Sequence, residues 1–261
     1  MFFIFNKQKI YSYLVAASTV VILFILSFFF INTDVKTMET SAEISRLTPI
    51  YSVQTEQKRI SLTINCAWNA DDIDQILEIL DRCNVKVTFF MVGDWVDKYP
   101  EYVKKIANAN HEIANHSNTH PHVNNLSYEQ NVEEIKKCNE EIKKLTRKEV
   151  KLYRCPYGEY NDTVIKAATD NDYKVIQWSI DSLDYQGLDT SQMWDRINKG
   201  LKPGSIILMH NGTETTAGSL ETIIKNIQDK GYNIVKVSDL VYKDNYVIDA
   251  NGSQELVQKT E

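Results

Sequence analysis

A chain of 261 residues, 43% hydrophobic and 25% charged, has room for one catalytic-size globular domain plus extra segments. Its formal net charge of −6 and pI near 5.5, with both signs mixed along the charged runs, argue against a nucleic-acid partner, which calls for clustered Lys and Arg.

The first element is apolar. No charge occurs from Ile10 to Thr33, and Leu14–Ile31 is almost wholly Leu, Val, Ile, Ala and Phe. As a helix rising about 1.5 Å per residue, this run spans a hydrocarbon layer of roughly 30 Å. It is predicted to be a transmembrane anchor at 11–33, a length that disfavours a buried core helix. Lys7 and Lys9 precede it and Asp34 follows, which places residues 1–10 in the cytoplasm and the remainder outside. The small residues Ala16, Ala17 and Ser18 lie inside the apolar run, where a signal peptidase does not cut, so the anchor is expected to stay attached.

Residues 34–57 are polar and aperiodic and are predicted to be a stalk. From 58 to 243, short apolar runs alternate with amphipathic stretches, the pattern of an α/β fold with a parallel sheet. Strands are predicted at 60–65, 85–92, 112–115, 152–154, 175–180, 206–209 and 234–237. Between them Ile73, Ile76, Leu77 and Leu80 share one helical face, as do Ile223, Ile224 and Ile227. Ser127 and Gln130 form a capping box that opens a helix running toward Leu145. The expected architecture is a distorted (β/α) barrel of about seven parallel strands, with its chemistry at the strands' C-terminal ends. Residues 244–261, weakly periodic, read as a loosely attached tail. The four cysteines (Cys66, Cys83, Cys138 and Cys155) lack framework spacing and are expected to be free thiols.

Polar motifs follow the strands. His116 and His120, in His116-Ser-Asn-Thr-His120-Pro121, are spaced so that both imidazoles can face one metal ion; a pair of surface histidines, with His122 beside them, is the alternative. Arg154-Cys-Pro156-Tyr157-Gly158 makes a sharp loop able to expose backbone N–H groups, and its Arg can grip a carboxylate with two hydrogen bonds. Asp181 and Asp184 follow the predicted 175–180 strand, and His210 follows 206–209. Each of these, taken alone, is equally compatible with a structural or solvated role.

In this order and in these strand contexts, the motifs resemble the NodB-like polysaccharide deacetylases, carbohydrate esterase family 4, from about Arg59 to Leu240. HSNTH stands for the family's HSxxH motif, RCPYG for RxPxG, DSLDY for DxxDW and LMH for LxH. TIN followed by WNADD, together with WSIDSLD and GSIILMHN, is similar to the spore-formation branch. The resemblance implies a metal-dependent hydrolase that removes N-acetyl groups from a cell-wall glycan of the peptidoglycan type. It implies a divalent ion, Zn²⁺ or else Co²⁺ or Ni²⁺, on His116 and His120, and His210 as the acid that protonates the leaving amine. Arg154 is implied to orient the base and Asp181 to tether His210, while Pro156, Tyr157 and Asp184 line the substrate side, with Tyr157 giving an oxyanion N–H.

The sequence departs from that family at the base. Asn65 and Cys66 occupy the positions of the catalytic Asp and of the third metal ligand, and an amide oxygen is far too weakly basic to take a proton from water. A positioned base is worth about 10²–10⁴-fold, so its loss leaves either a slow deacetylase or an inactive relative that binds metal and N-acetylated glycan. Retention of His210, Arg154 and Asp181 favours the enzyme. Cys66 is a thiolate ligand or a small core hydrophobe. Asp72 is a replacement ligand reaching back from its loop, or the start of the helix at Ile73. On the charge asymmetry around the anchor, protease added to intact, wall-stripped cells should remove the domain; survival of the domain while an external marker is digested would reverse the topology.

Overall fold

The computed structural model describes Tyr11, residues 17–23 and residues 47–257. Most of the predicted anchor at 11–33, and residues 34–46 of the predicted stalk, lie outside the described residues. Residues 17–23 are helical, and among the described residues no helix is long and apolar enough to cross a membrane.

The sheet is built on β2 (Arg59–Cys66), whose alternation decides everything around it. Ile60, Leu62, Ile64 and Cys66 enter the large apolar core beneath the helices, so Ser61, Thr63 and Asn65 project to the opposite, inner face. The same parity recurs in β3 (Thr88–Met91) and in β8 (Ile206–His210). Phe89, Met91, Ile207 and Met209 join the outer core, whereas Phe90 and Ile206 belong to an inner cluster. With β4 (Glu112–Asn115), β5 (Leu152–Tyr153), β6 (Lys174–Val175) and β7 (Ile180–Asp181), the strands form a parallel sheet in the order β6-β5-β4-β3-β2-β8-β7. This is a curled seven-stranded half-barrel, in agreement with the expected fold class; β9 (Asn233–Ile234) pairs separately with the start of β2.

Helices cover the outer face. The predicted apolar faces occur in α1 (Ile73–Arg82) and α7 (Thr216–Asp229). The capping box at Ser127 and Gln130 opens α4 (Tyr128–Thr146). Between them run α2 (Gly93–Lys98), α3 (Pro100–Asn108), α5 (Asp162–Thr169) and α6 (Thr190–Gly200), and a short α8 (Val237–Leu240) follows β9. All four cysteines are free.

Three expectations change. The predicted strand 175–180 divides into β6 and β7, because the chain switches partners: Gln177 N donates to Ile50 O at 2.7 Å while Ser179 N donates to Ile206 O at 3.0 Å. The strand expected at 234–237 stops at Ile234, and Val237 N is taken by Thr88 Oγ1 at 2.9 Å. The ends of the domain are also more ordered than their polarity suggests. Residues 47–57 of the predicted stalk form a strap that includes β1 (Ser52–Val53), and the tail contains β10 (Tyr246–Ile248) and β11 (Ser253–Leu256), which pair with each other, β11 also pairing with β1. Gln254 is fully buried and bonds Tyr242 through both its amide atoms.

The strap holds the curled sheet. Ile50 N donates to Val175 O at 2.8 Å beside β6, and three residues later Val53 N donates to Gly204 O at 3.0 Å just before β8. Gly204 has φ +79°, and a Cβ there would lie 1.6 Å from Val53 O. Gly204→Ala should therefore lose roughly 2–4 kcal/mol from backbone strain and overpacking, measured by urea denaturation; an unchanged midpoint would mean the strap does not bind there.

Candidate functional site

Parallel register brings the polar strand ends together. Asn65 is opposite both Phe90 and His210, and Asn115 is opposite Tyr153. Residues just past those positions therefore gather around one cavity of about 390 Å³, lined by Asn65, Trp68, His116, His120, Tyr157 and His210 among others.

Arg154 lies beneath it, fully buried. Nη1 donates to Thr63 Oγ1 and Asn65 Oδ1, both at 2.9 Å, Nη2 to Gln177 O at 3.1 Å and Nε to Ile176 O at 3.3 Å. The guanidinium stacks 3.9 Å from the Phe90 ring centre. Every hydrogen-bond acceptor is neutral. Burial accordingly pushes its pKa down to about 9, against the opposing pull of the more distant Asp181.

Asn65 is held at both ends of its amide. Oδ1 accepts from Arg154, and Nδ2 lies 3.1 Å from His116 Nε2. His116 Nδ1 is 2.9 Å from Arg154 O, an acceptor only, so this nitrogen carries the ring proton. His116 Nε2 is then the lone-pair nitrogen, and the Asn65 N–H points at it. Burial and the adjacent His120 push the His116 imidazole well below its ordinary value, and burial lowers His120 as well. The two rings sit 4.9 Å apart, centre to centre.

The loop carrying both histidines is clamped by Glu134 from α4. Its carboxylate accepts from Ser117 Oγ at 2.6 Å, Thr119 N at 2.9 Å, Asn118 N at 3.0 Å and Thr119 Oγ1 at 3.1 Å. That clamp holds Ser117 and His120 at positive φ. Sequence reasoning missed Glu134, which sits in an amphipathic helix among other Glu and Lys residues. It also missed Thr63, although Thr63 lies two residues before Asn65 on the same strand face and could have been found by parity.

Cys66 and Asp72 do not join the histidines. Adjacent strand residues face opposite ways, so with Asn65 inward Cys66 must point into the outer core, where it is fully buried and its thiol is pushed well up by desolvation. Asp72 precedes α1 but caps nothing there. It instead fastens the loop after β8, accepting from Gly212 N at 2.8 Å and Asn211 Nδ2 at 3.2 Å. Among the described residues, no three His, Cys, Asp or Glu side chains are grouped to hold a metal. Two imidazoles, one with its lone pair already occupied, do not make a complete divalent-ion site.

On the opposite wall the tether of His210 is Asp184 rather than Asp181. Asp184 Oδ1 lies 2.9 Å from His210 Nδ1, and Oδ2 accepts from His210 N and Thr216 Oγ1, both at 2.6 Å. Asp181 instead accepts from Leu183 N at 2.9 Å and from the Tyr185 hydroxyl at 3.3 Å, and it lines the cavity. The chain turns at Leu183, φ 56°, and this turn carries the second aspartate under the histidine. Trp68 stacks on His210 at 5.2 Å and Tyr185 meets its edge at 5.2 Å. Tyr157, φ 56°, stacks on His122 at 4.5 Å. The hydrogen bonds of its turn run from Gly158 N to Cys155 O and from Glu159 N to Pro156 O, which leaves out the Tyr157 N–H; Pro156 itself is buried.

A family model for polysaccharide deacetylase matches residues 52–176. The uncharacterized protein YlxY of Bacillus subtilis is 35% identical over 74% of this chain, which spans 60% of that relative's length. A peptidoglycan-N-acetylglucosamine deacetylase of Bacillus cereus is 30% identical over 69% of this chain and 67% of its own. A solved structure from Bacillus anthracis, described as a CE4 family pseudoenzyme, matches with a TM-score of 0.71 at 32% identity, over 80% of this chain and 70% of that one. A mutant structure of the same protein, described as having restored enzymatic activity, matches with the same TM-score and identity over 80% of this chain and 73% of its own.

An Arg154 left with neutral acceptors makes a stability prediction. Asn65→Asp should gain about 1.5–3 kcal/mol at neutral pH from a charged hydrogen bond to Arg154 and give back about 1 kcal/mol, because its second oxygen replaces the N–H that faces the His116 Nε2 lone pair, so the variant is expected to be modestly more stable. The guanidinium would hold the new carboxyl below its ordinary value of about 3.9, so the gain is present above that pH and disappears as pH falls through the lowered value. Urea denaturation at neutral and strongly acidic pH checks this; equal stability of both proteins at neutral pH would count against it.

Proposed function

This chain belongs to the polysaccharide deacetylase family, and from that membership we propose that it binds an N-acetylated cell-wall glycan in the Asn65–His210 cavity without hydrolysing it at an enzymatic rate. The observation that carries the reading is the two-ended hold on Asn65. An amide accepts no proton from water, and its N–H occupies the histidine lone pair that a metal needs. The base and metal half of a deacetylase site is thereby blocked.

The binding half supports recognition. Trp68, Tyr157 and Tyr185 are 49%, 57% and 45% exposed around the cavity, and such aromatic faces suit the apolar faces of sugar rings. The Tyr157 N–H suits an acetamido carbonyl oxygen. Relatives named as peptidoglycan deacetylases supply the substrate class. With the charge pattern around residues 11–33, the domain is proposed to work outside the membrane, at the wall.

A slow deacetylase is the second reading, and the Asp184–His210 pair favours it. Asp184 fixes the ring by its Nδ1 and directs Nε2 to the cavity, as an acid to a leaving amine requires. Acetate release from N-acetylglucosamine oligomers, assayed in Zn²⁺- or Co²⁺-supplemented buffer, separates the two. The wild type should quench tryptophan fluorescence on binding oligomer yet release no acetate above the blank. Asn65→Asp should raise turnover by about 10²-fold or more, chiefly in kcat. Wild-type turnover that Asn65→Asp leaves unchanged would establish the slow enzyme with another base.

A further inference from the structure

A second cavity, larger than the Asn65–His210 one, lies elsewhere in the domain. It measures about 630 Å³ and is lined by Glu112, Leu152 and Lys174, where β4, β5 and β6 begin, so it opens at the end of the half-barrel opposite the Asn65–His210 cavity. Five lysines line it: Lys148, Lys151, Lys174, Lys236 and Lys243. They come from four stretches of chain, around β5, at β6 and on either side of α8.

Elsewhere on the described surface six cations are ion-paired and others, such as Lys86, Lys98 and Lys166, are not, so what sets this cavity apart is the gathering of five lysines around one concavity. Arg82, Lys105, Lys137, Lys143, Lys144 and Lys225 each reach a carboxylate. Among the described residues none of the five cavity lysines reaches one within 4 Å. Of the three acids in the lining, Glu112 is spent on Thr88 Oγ1 at 2.7 Å and Ser238 N at 3.2 Å. Glu149 is spent on Lys143, outside the lining; the third is Asp172. Two lysines are also positioned. Lys174 Nζ donates to Lys243 O and Tyr246 OH, both at 2.9 Å, and Lys151 lies over the Tyr173 ring.

A largely buried histidine completes the lining. His111 is 5% exposed, and its Nδ1 accepts from Val87 N at 3.2 Å. Its proton is therefore on Nε2, for which the protein supplies no acceptor. Burial, with Lys86 and Lys236 nearby, keeps the imidazole neutral by pushing it down to about 4.

We propose that this cavity is a second binding site, for a phosphate-bearing ligand. Several ammonium point charges around one concavity, each with spare donors, suit phosphate oxygens better than a single planar carboxylate, which Arg would grip in its plane. Low-dielectric walls concentrate their field at the mouth. In a chain of net charge −6, such a cavity is a local reversal of sign.

The test is calorimetric titration of the full chain, purified in nonionic detergent and phosphate-free buffer, with tripolyphosphate as a soluble polyphosphate and glycerophosphoglycerol as the headgroup phosphodiester of an anionic lipid. Either should bind, more weakly as salt rises. Lys148→Gln combined with Lys236→Gln removes two ammonium groups that make no structural contact, and should weaken binding about tenfold or more while the melting temperature is kept. Loss of tripolyphosphate binding in the variant assigns the soluble ligand; loss of glycerophosphoglycerol binding assigns the headgroup. The proposal is overturned if neither probe binds the wild type, if the variant binds them equally well, or if citrate binds as tightly as tripolyphosphate.

Discussion

The guanidinium of Arg154 organises this site. It lies fully buried and reaches side chains on β2 and carbonyls of the crossing segment between β6 and β7. Its own carbonyl fixes the tautomer of His116. A buried cation is costly unless its donors are satisfied and its charge is answered. Here the donors are satisfied by hydroxyl, amide and carbonyl oxygens, and the rings of Phe90 and Trp178 face the guanidinium carbon at 3.9 and 5.5 Å. The charge is answered only at a distance, by Asp181. The pocket thus retains a strong positive centre directly beneath the neutral Asn65.

The two walls of the cavity are built by independent devices. His210 is governed by Asp184, Thr216 and the turn at Leu183, all C-terminal to β7. His116 and His120 are governed by Glu134 and by Arg154 O. No hydrogen bond described above joins the two sets except through β2 and β8, whose register fixes Asn65 beside His210. A change at Asn65 therefore alters the surroundings of Arg154 and His116 while His210, the Asp184 that holds it and the aromatic rim keep their places.

Much of this was legible in the chain. Strand periodicity placed β2, β3, β4 and β8 within a few residues, and the capping box at Ser127 placed the start of α4. What escaped depends on partners distant in sequence. The split of the 175–180 run follows from Ile50 and Ile206 competing for its backbone, and the tail is ordered by β1, some 200 residues earlier in the chain. Within the site, Cys66 could have been settled by parity alone, since Asn65 and Cys66 cannot both face inward from a regular strand. The exchange of roles between Asp181 and Asp184 could not, because it turns on a positive φ at Leu183, a residue with no special liking for that conformation.

The identity of the residue at 65 carries its own argument. With Arg154 offering an N–H and His116 offering a lone pair, the side chain there must accept at one atom and donate at another, within the volume of a carboxylate. Asparagine does both. Alanine or leucine would strand a buried guanidinium hydrogen bond and a buried imidazole nitrogen, at about 1–3 kcal/mol each, and serine is too short to span them. Aspartate would answer the charge of Arg154, but it turns an acceptor toward the lone pair of His116 and so needs a proton or a metal ion between them. Asparagine is thus the substitution that keeps this cavity shaped and closed without an ion. With asparagine at 65, the Arg154 N–H and the His116 lone pair are both satisfied by one neutral side chain.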